Sequence, residues 1–284
     1  MKNNEQQALH RAMSALQEAE CIVLGGGAGL SAAAGLAYGG ERFTASFAPF
    51  IRRYGLTDMY SSGFYPFRTQ EERWGYWAKH ISLNRYEATV TRLYRDLFQL
   101  VRHKNYFVIT TNVDSQFEKA GFPADRIFEV QGNYGYLQCA VACHDRLYNN
   151  ETAVKEMLEQ TINCTIPASL VPMCPVCGGT MDPHLRINAY FIQNEGWHQA
   201  NEAYQRFLSA AEEKKTVLLE LGVGYNTPGI IRYPFEKWTH QNRNATLIRL
   251  NKSDPEGMKE NESKTISITS EMQDALSAWI AGDE

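Results

Sequence analysis

The sequence lacks an excess of positive charge. Its 284 residues include 28 Lys and Arg against 32 Asp and Glu, which gives a net charge of −4 and a pI near 6.0. Proteins that bind nucleic acid or a membrane surface through a basic patch need the opposite balance, so we expect neither partner. Six cysteines are too few for a disulfide scaffold, and the first residues lack the apolar segment of a secretory signal. These absences predict a soluble, reduced, cytoplasmic protein.

Formal charge is also absent from the twenty residues 21–40, which is the length of a membrane span. Seven of these residues are glycine, so the stretch is better interpreted as a short strand followed by a glycine-rich loop. The hydrophobic content of 44% and the charged content of 21% are ordinary for a globular protein, and they exclude a disordered or fibrous chain.

The glycine-rich loop has the composition of a phosphate-binding site. Gly27-Ala28-Gly29 follows the apolar run 21–24, and glycines at the mouth of a helix let backbone N–H groups approach a pyrophosphate. A tight packing turn between strand and helix explains the same residues equally well. Dehydrogenases place an acidic residue about 20 positions further on, and this chain has none there; no GK[ST] follows either. The ordinary hydride-transfer and P-loop interpretations are therefore excluded.

Alternating apolar periodicities predict an α/β fold, with a doubly wound, mostly parallel, Rossmann-like sheet. The helices are predicted over 5–19, 86–102, 197–213, 228–237 and around 272–280. The strands are predicted over 21–24, 106–110, 127–131, 187–192, 217–221, 245–250 and 265–268.

Two segments interrupt this alternation and predict a smaller lobe. Residues 38–83 are rich in aromatics, with 12 of the chain's 33 between positions 38 and 80, and we expect these rings to pack on one another in a helical insertion. Residues 136–183 contain four of the cysteines. The remaining segments, about 1–37, 84–135 and 184–284, would form the large lobe of a single unit spanning 1–284.

The four cysteines form two close pairs, Cys139 with Cys143 and Cys174 with Cys177. Two such pairs can bring four thiolates to a tetrahedral Zn²⁺, and a full set of four leaves no open position, so the predicted zinc is structural. Buried apolar cysteines or a redox pair are the alternatives. His144 adjoins the first pair and could substitute as a ligand.

Taken in order, the motifs resemble those of the sirtuin family along nearly the whole chain. Gly27-Ala28-Gly29-Leu30-Ser31 resembles its GAGxS, Thr111-Asn112-Val113-Asp114 its TQNxD, Gln131-Gly132-Asn133 its HG(S/N), Leu221-Gly222-Val223-Gly224 its GTS, and Leu250-Asn251-Lys252 its INxE. The resemblance implies NAD as co-substrate in a cleft between a large dinucleotide-binding lobe and a small zinc lobe. The cofactor-binding residues it implies are Gly27, Ala28, Gly29, Ser31, Arg42, Phe43, Asn112, Asp114, Gln131, Gly222, Val223, Gly224 and Asn251.

The departures from the family pattern are systematic. The family's PDFR is replaced by a segment that keeps Arg42 and Phe43 in altered order, its base histidine is Gln131, and its GTS serine is Gly224. This combination resembles the macrodomain-linked class M branch. That branch implies a protein ADP-ribosyltransferase acting on a lipoylated carrier protein, with an associated macrodomain hydrolase.

The implied catalytic residues are Asn112, Asp114 and Gln131. The resemblance implies Asp114 near the nicotinamide carboxamide and Asn112 beside the nicotinamide ribose, although Asn-x-Asp before a helix is also a common N-cap. Deacylation needs a base to deprotonate a ribose hydroxyl, and a glutamine amide has no usable basicity near neutral pH. Transfer of ADP-ribose to a good nucleophile needs no such base, so the chemistry favours transfer.

Three other functions stay open for the sequence. A weak deacylase would use a surrogate base, for which His80 in the aromatic segment is the nearest candidate. An NAD hydrolase would let water attack the anomeric carbon, and an NAD-sensing module would keep the pocket without turnover. Arg42 would contact diphosphate or ribose, or else it is a surface charge beside Glu41.

Overall fold

The structure is a computed structural model that describes residues 2–281. Its main element is a six-stranded parallel sheet, whose central strands are mostly apolar and buried on both faces. In spatial order the strands are β3 (Ile127–Glu129), β2 (Tyr106–Thr110), β1 (Cys21–Gly26), β7 (Thr216–Leu221), β8 (Ala245–Leu250) and β9 (Thr265–Ile268). The predicted Rossmann-like parallel sheet is confirmed.

Twelve α-helices are described over residues 2–281. They are α1 (Lys2–Glu18), α2 (Ala28–Ser31), α3 (Gly40–Ser46), α4 (Ala48–Tyr54), α5 (Met59–Ser62), α6 (Gln70–Ile81), α7 (Arg92–Val101), α8 (Gln116–Lys119), α9 (Glu151–Glu159), α10 (Glu195–Ala211), α11 (Arg232–Gln241) and α12 (Met272–Ala281). Within that range none of them combines the length and the apolar character needed to cross a membrane.

The sheet is covered on both faces. Helices α1, α7 and α12 enclose one hydrophobic cluster, in which Leu97 and Trp279 are almost fully buried. Helices α10 and α11 enclose a second cluster around Tyr204 and Phe235 on the opposite face. This double covering leaves the carboxyl ends of the strands as the edge where loops can form a site.

A second sheet has three antiparallel strands, in the order β5 (Tyr148–Asn149), β4 (Gly132–Cys139) and β6 (Met181–Leu185). It borders a third cluster that joins the aromatic segment to residues of β4, α9 and β6. The aromatics do pack on one another, as in the stacked pair Phe43 and Phe47 and the edge-on pair Phe50 and Tyr76. We propose that this cluster is the core of the smaller lobe.

Several predicted bounds were wrong. The strand predicted over 187–192 is a loop, because the Asn188 side chain accepts a hydrogen bond from the Tyr190 N–H and turns the chain. The strand in this region is β6, which precedes it. The helix predicted over 228–237 begins only at Arg232, after a turn in which the Ile230 N–H bonds to the Thr227 carbonyl. The helix predicted over 86–102 begins at Arg92, after a π-helical turn over Ser82–Tyr86.

Candidate active site

A cleft of about 600 Å³ opens at the carboxyl ends of β1, β7 and β8. Most of its lining comes from the loops that follow these strands, with further residues after β2 and β9, and it includes Gly27, Ala28, Gly29, Gly222, Val223, Gly224 and Asn251. The structure therefore brings together seven of the residues predicted to bind cofactor, at the edge of the sheet where α/β folds bind ligands.

The glycines of this cleft are required by the close approach of two loops. The Gly29 N–H donates to the Gly222 carbonyl at 2.9 Å, and a Cβ on Gly27 would lie 2.7 Å from the same oxygen. Gly222 has φ +61°, and a Cβ there would overlap the Leu30 backbone nitrogen. The glycines therefore do form a tight packing turn, and the cleft beside this turn is still open to a ligand. Helix α2 has only four residues, so it adds little dipole.

Asn112 and Asp114 belong to one hydrogen-bond network behind the glycine loop. The Ser31 hydroxyl donates to Asp114 Oδ2 at 2.6 Å and lies 3.0 Å from the Tyr94 hydroxyl. Asn112 Nδ2 donates to the Gly27 carbonyl at 2.9 Å and to the Tyr94 hydroxyl at 3.2 Å. Side chains separated by up to 83 residues are therefore fixed relative to one another.

Asp114 is 6% exposed, and burial raises the pKa of its carboxyl above the ordinary range. Hydrogen bonds from Ser31 and from the Gln116 N–H favour the charged form and partly oppose that effect. The second of these bonds runs 3.0 Å from the N–H of Gln116, the first residue of α8, to Oδ1, although the N-cap residue itself is Ser115. One oxygen of Asp114 thus binds the start of α8, and the other faces the network.

Gln131 lies at the carboxyl end of the sheet in a second cleft, of about 790 Å³, that runs between α10 and α11. Its Nε2 donates to the Thr227 hydroxyl at 3.3 Å, and Thr227 lines both clefts. Arg186 lines the second cleft beside it, and the Arg186 N–H donates to the Gln131 carbonyl at 3.0 Å. Sequence reasoning missed Arg186, because it follows an unpredicted strand and no motif contains it.

Arg42 and Phe43 lie outside the lining of both clefts. The Arg42 guanidinium donates to the Asn84 side chain at 2.8 Å and to the carbonyls of Ala37 and Leu83. Phe43 is 1% exposed and stacks on Phe47. Arg42 therefore joins two segments of the aromatic region, and it is not simply a surface charge beside Glu41.

Asn251 connects the loops that line the first cleft. Its Nδ2 donates to the Val223 carbonyl at 2.9 Å, and its Oδ1 accepts from the N–H groups of Ser253 and Asp254 at 3.0 Å. Its amide is thus engaged with backbone, so its contribution to the cleft is to hold the shape of the two loops.

A buried ion network supports the same loops from below. Arg249 forms a bidentate pair with Glu220 at 2.7 and 2.9 Å, and both side chains are fully buried. Arg232 lies 3.5 Å from Glu220 and donates to the carbonyls of Val223 and Asp254. The network ties β7, β8 and α11 to the floor of the cleft. The sequence did not predict this network, because a charged residue within an apolar run is normally expected to be exposed to solvent.

His80 is unsuited to the role of surrogate base. It is 1% exposed, and burial together with the Arg42 charge lowers its pKa to about 3. Both ring nitrogens are occupied, by Tyr76 and Tyr134. The histidine is therefore neutral and held in a fixed position.

The four cysteines of the predicted zinc site are brought together. Their sulfur atoms lie within 4.8 Å of one another, with 3.7 Å between Cys139 and Cys177 and 3.6 Å between Cys143 and Cys174. Zn–S bonds of about 2.3 Å in a tetrahedron place sulfurs about 3.8 Å apart, so the set fits zinc. The His144 imidazole lies 3.5 Å from the Cys174 sulfur and 3.2 Å from the Tyr148 hydroxyl, adjacent to a complete four-thiol set.

The profile of the Sir2 family matches residues 27–212, which is more than half of the chain and includes the glycine loop, Asn112, Asp114 and all four zinc-site cysteines. The chain belongs to the Sir2 family. The predicted resemblance to sirtuins is therefore confirmed.

Two relatives are similar over most of the chain. A protein named protein ADP-ribosyltransferase from Staphylococcus aureus strain Mu50 is 32% identical over 271 residues, which cover 95% of this chain and 86% of the relative. A protein from Fusarium oxysporum f. sp. cubense, named probable bifunctional ADP-ribose hydrolase/ADP-ribosyltransferase, is 33% identical over 83% of this chain. The match covers only 41% of the Fusarium protein.

Solved Sir2 structures share the fold at low identity. One described as a structural basis for the mechanism and regulation of Sir2 enzymes aligns with a TM-score of 0.59 at 18% identity, covering 97% of both chains. A Sir2 homologue in complex with NAD aligns at the same TM-score with 14% identity, over 96% of this chain and 93% of the other. At these identities the likeness establishes the Sir2 fold.

Proposed function

We propose that this protein is an NAD-dependent protein mono-ADP-ribosyltransferase. It would break the bond between nicotinamide and the ribose of NAD and transfer the ADP-ribose to a side chain of an acceptor protein. The observation that supports this most is an amide, Gln131, at the point of the Sir2 site where the family pattern has its base. The names of the two curated relatives support the same activity.

The first cleft is proposed to hold the adenosine and diphosphate part of NAD. Its wall is lined by glycines, and the absence of side chains there would let a diphosphate approach the backbone closely, as in other dinucleotide sites. The nicotinamide half would then extend towards Asn112 and Asp114, whose side chains the network around Ser31 holds in place. Fixed dipoles next to the scissile bond can stabilise the positive charge that develops on the ribose as nicotinamide leaves.

The acceptor is proposed to approach through the second cleft. Gln131 and Arg186 line it, and Thr227 lines both this cleft and the first. The nucleophile would attack the anomeric carbon, the carbon–nitrogen bond to nicotinamide would break, and the acceptor's proton would leave to solvent. Gln131 can hold the ribose hydroxyls by donating and accepting hydrogen bonds, without acting as a base.

We further propose a lipoylated carrier protein as the acceptor and a macrodomain hydrolase as the functional partner, in the cytoplasm. The resemblance to the class M branch motivates both. The Fusarium relative, whose name joins a hydrolase to a transferase, supports the second.

The decisive experiment incubates the protein with NAD and a lipoylated carrier protein, and measures the carrier by intact-mass spectrometry. A gain of one ADP-ribose is expected, and Asn112→Ala should reduce it to background. Release of nicotinamide without any modified protein would refute the transferase and favour an NAD hydrolase. NAD-dependent thermal stabilisation with no release at all would favour a sensing module.

A single substitution separates transfer from deacylation. Gln131→His restores an imidazole, and general-base help is typically worth about 10²–10⁴-fold. We expect it to raise formation of acyl-ADP-ribose from an acyl-lysine peptide above the level of the unaltered protein. If the unaltered protein already forms that product well above an Asn112→Ala control, the preference for transfer is wrong.

A further inference from the structure

Three buried side chains, Tyr76, His80 and Tyr134, and the half-buried Tyr38 form a hydrogen-bonded chain outside the network described above. The hydroxyls of Tyr38 and Tyr134 lie 2.6 Å apart, and the Tyr134 hydroxyl lies 2.7 Å from His80 Nε2. His80 Nδ1 lies 2.9 Å from the Tyr76 hydroxyl, which donates to the Met59 carbonyl at 2.8 Å. The four side chains come from the segment after Gly35, from helix α6 and from strand β4, so the chain crosses the core of the aromatic cluster.

The donor and the acceptor of each hydrogen bond in this series follow from its last bond, which joins Tyr76 to Met59. A carbonyl can only accept, so the single Tyr76 proton is directed to Met59. His80 must then donate from Nδ1 to the Tyr76 oxygen, and its Nε2 carries a lone pair that accepts the Tyr134 proton. Tyr134 in turn accepts the Tyr38 proton. The hydroxyl of Tyr38 therefore keeps its proton inside the chain and has only lone pairs left for another partner.

Tyr38 is linked to the Asn112–Asp114 loop through its partner Tyr134, because the Tyr134 N–H donates to the Val113 carbonyl at 3.0 Å and Val113 packs against the same aromatic cluster as Tyr38. Burial raises its pKa, the hydrogen bond with Tyr134 opposes this, the negative charge of Asp114 adds to it, and the positive charge of Arg42 opposes it. Tyr38 is therefore a neutral phenol near Asp114, the residue expected at the nicotinamide carboxamide. Its backbone is fixed as well, since its carbonyl accepts from the Met59 N–H at 2.8 Å.

We propose that Tyr38 is an additional nicotinamide-binding residue, whose hydroxyl accepts a hydrogen bond from the carboxamide N–H group while Tyr134 and His80 hold its proton on the opposite side. The inference rests on the proposed NAD chemistry of the site. A tyrosine free to rotate its proton would present a donor or an acceptor at random, whereas this chain presents an acceptor only. Tyr134 and His80 are positioning residues.

Proton storage by His80 is the competing role for the same chain. A pKa of about 3 leaves the imidazole unprotonated at neutral pH, so it is a poor destination for a proton taken from an acceptor or a ribose. The hydrogen-bonded side chains therefore orient the Tyr38 hydroxyl.

The test measures inhibition of nicotinamide release by added nicotinamide, together with kcat and the KM for NAD. Loss of one hydrogen bond is expected to weaken inhibition about five- to tenfold in Tyr38→Phe. In Tyr134→Phe, where the Tyr38 proton is no longer held, we expect a loss of about two- to fivefold. The matched control is Tyr65→Phe, which removes a hydroxyl of the same aromatic cluster outside the chain and should leave inhibition unchanged.

Two variants of His80 separate orientation from proton storage. Gln has an oxygen that can accept from Tyr134 and an N–H that can donate to Tyr76, so His80→Gln should keep inhibition near that of the unaltered protein. His80→Leu removes both bonds and should resemble Tyr134→Phe. Thermal unfolding and zinc content verify that each variant is folded.

The outcomes are distinct. Unchanged inhibition and kcat in a folded Tyr38→Phe protein would overturn the inference and leave the proposed function intact. Equal loss in His80→Gln and His80→Leu would overturn the orienting role of the chain. Absence of nicotinamide release by the unaltered protein would remove the proposed function, and this inference with it.

Discussion

At the scale of single residues, burial shifts the pKa values of polar groups in and around the candidate active site. It is the leading cause of the shift for Asp114, His80 and Glu129. The identity of Asn112, Asp114 and Gln131 as candidates could be obtained from motifs. The hydrogen-bond partners of Asn112 and Asp114 could not, because only the fold brings Ser31 and Tyr94 next to them.

Glu129 gives a prediction about the pH dependence of stability. Its buried carboxyl accepts a hydrogen bond from Asn133 at 2.6 Å, and burial raises its pKa from 4.5 to about 7. Between these values the unfolded state binds fewer protons than the folded state, so this residue lowers the free energy of unfolding as the pH rises. Glu129→Gln should therefore gain on the order of 2 kcal/mol relative to the unaltered protein between pH 5 and pH 8.

Denaturant unfolding at the two pH values measures this gain. Glu156→Gln, which removes an exposed carboxylate from α9, is the control and should stay within about 0.5 kcal/mol at either pH. A difference between Glu129→Gln and the unaltered protein that does not change with pH would show that the Glu129 carboxyl is not held protonated.

At the scale of elements, the sequence predicted the large sheet better than the small one. Parallel strands such as β1 and β8 are mostly apolar and buried along their length, which a sequence pattern detects directly. Strands β4 and β6 contain Gly, Cys and His and pair antiparallel across the cysteine segment, so they have no such run. The loop at 187–192 has strand-like composition, and only its Asn188 turn and the helix cap that follows reveal its conformation.

Gly222 tests the contact between the loops that follow β1 and β7. Alanine there would meet both an unfavourable positive φ and the Leu30 backbone, so we expect Gly222→Ala to lose about 2–5 kcal/mol of stability and its NAD-dependent thermal shift. Gly55 is the matched control, with φ +69° and no atom within 4 Å of an added Cβ. Gly55→Ala should lose only about 1–2 kcal/mol and keep the NAD response. Equal effects of the two substitutions would show that the loop contact is unimportant.

At the scale of the whole molecule, the sulfurs of the zinc site adjoin the aromatic cluster, since Cys139 and Cys174 are buried members of it. The lobe boundaries near 38–83 and 136–183 stay a prediction. Tyr134 and Leu185 fall just outside those ranges and still belong to the cluster. Sequence periodicity cannot locate such a boundary to within a few residues, because it is set by packing between segments.

Metal removal should therefore affect the proposed small lobe first. The protein is expected to carry one zinc per chain, and Cys174→Ser should lose it together with several kcal/mol of stability, since metal binding is coupled to folding of such modules. Elemental analysis and near-UV circular dichroism, which reports on the aromatic cluster, are the measurements. Cys21→Ala, in β1, should keep its zinc. A Cys174→Ser protein with unchanged zinc content would point to His144 as a substitute ligand.

Thr227 lines both clefts, so the proposed sites of the dinucleotide and of the entering acceptor adjoin at one short loop. Because the proposed transfer has the acceptor attack NAD while both are bound, the enzyme should work through a ternary complex. Double-reciprocal plots at several fixed acceptor concentrations should therefore intersect, and parallel lines would contradict direct transfer.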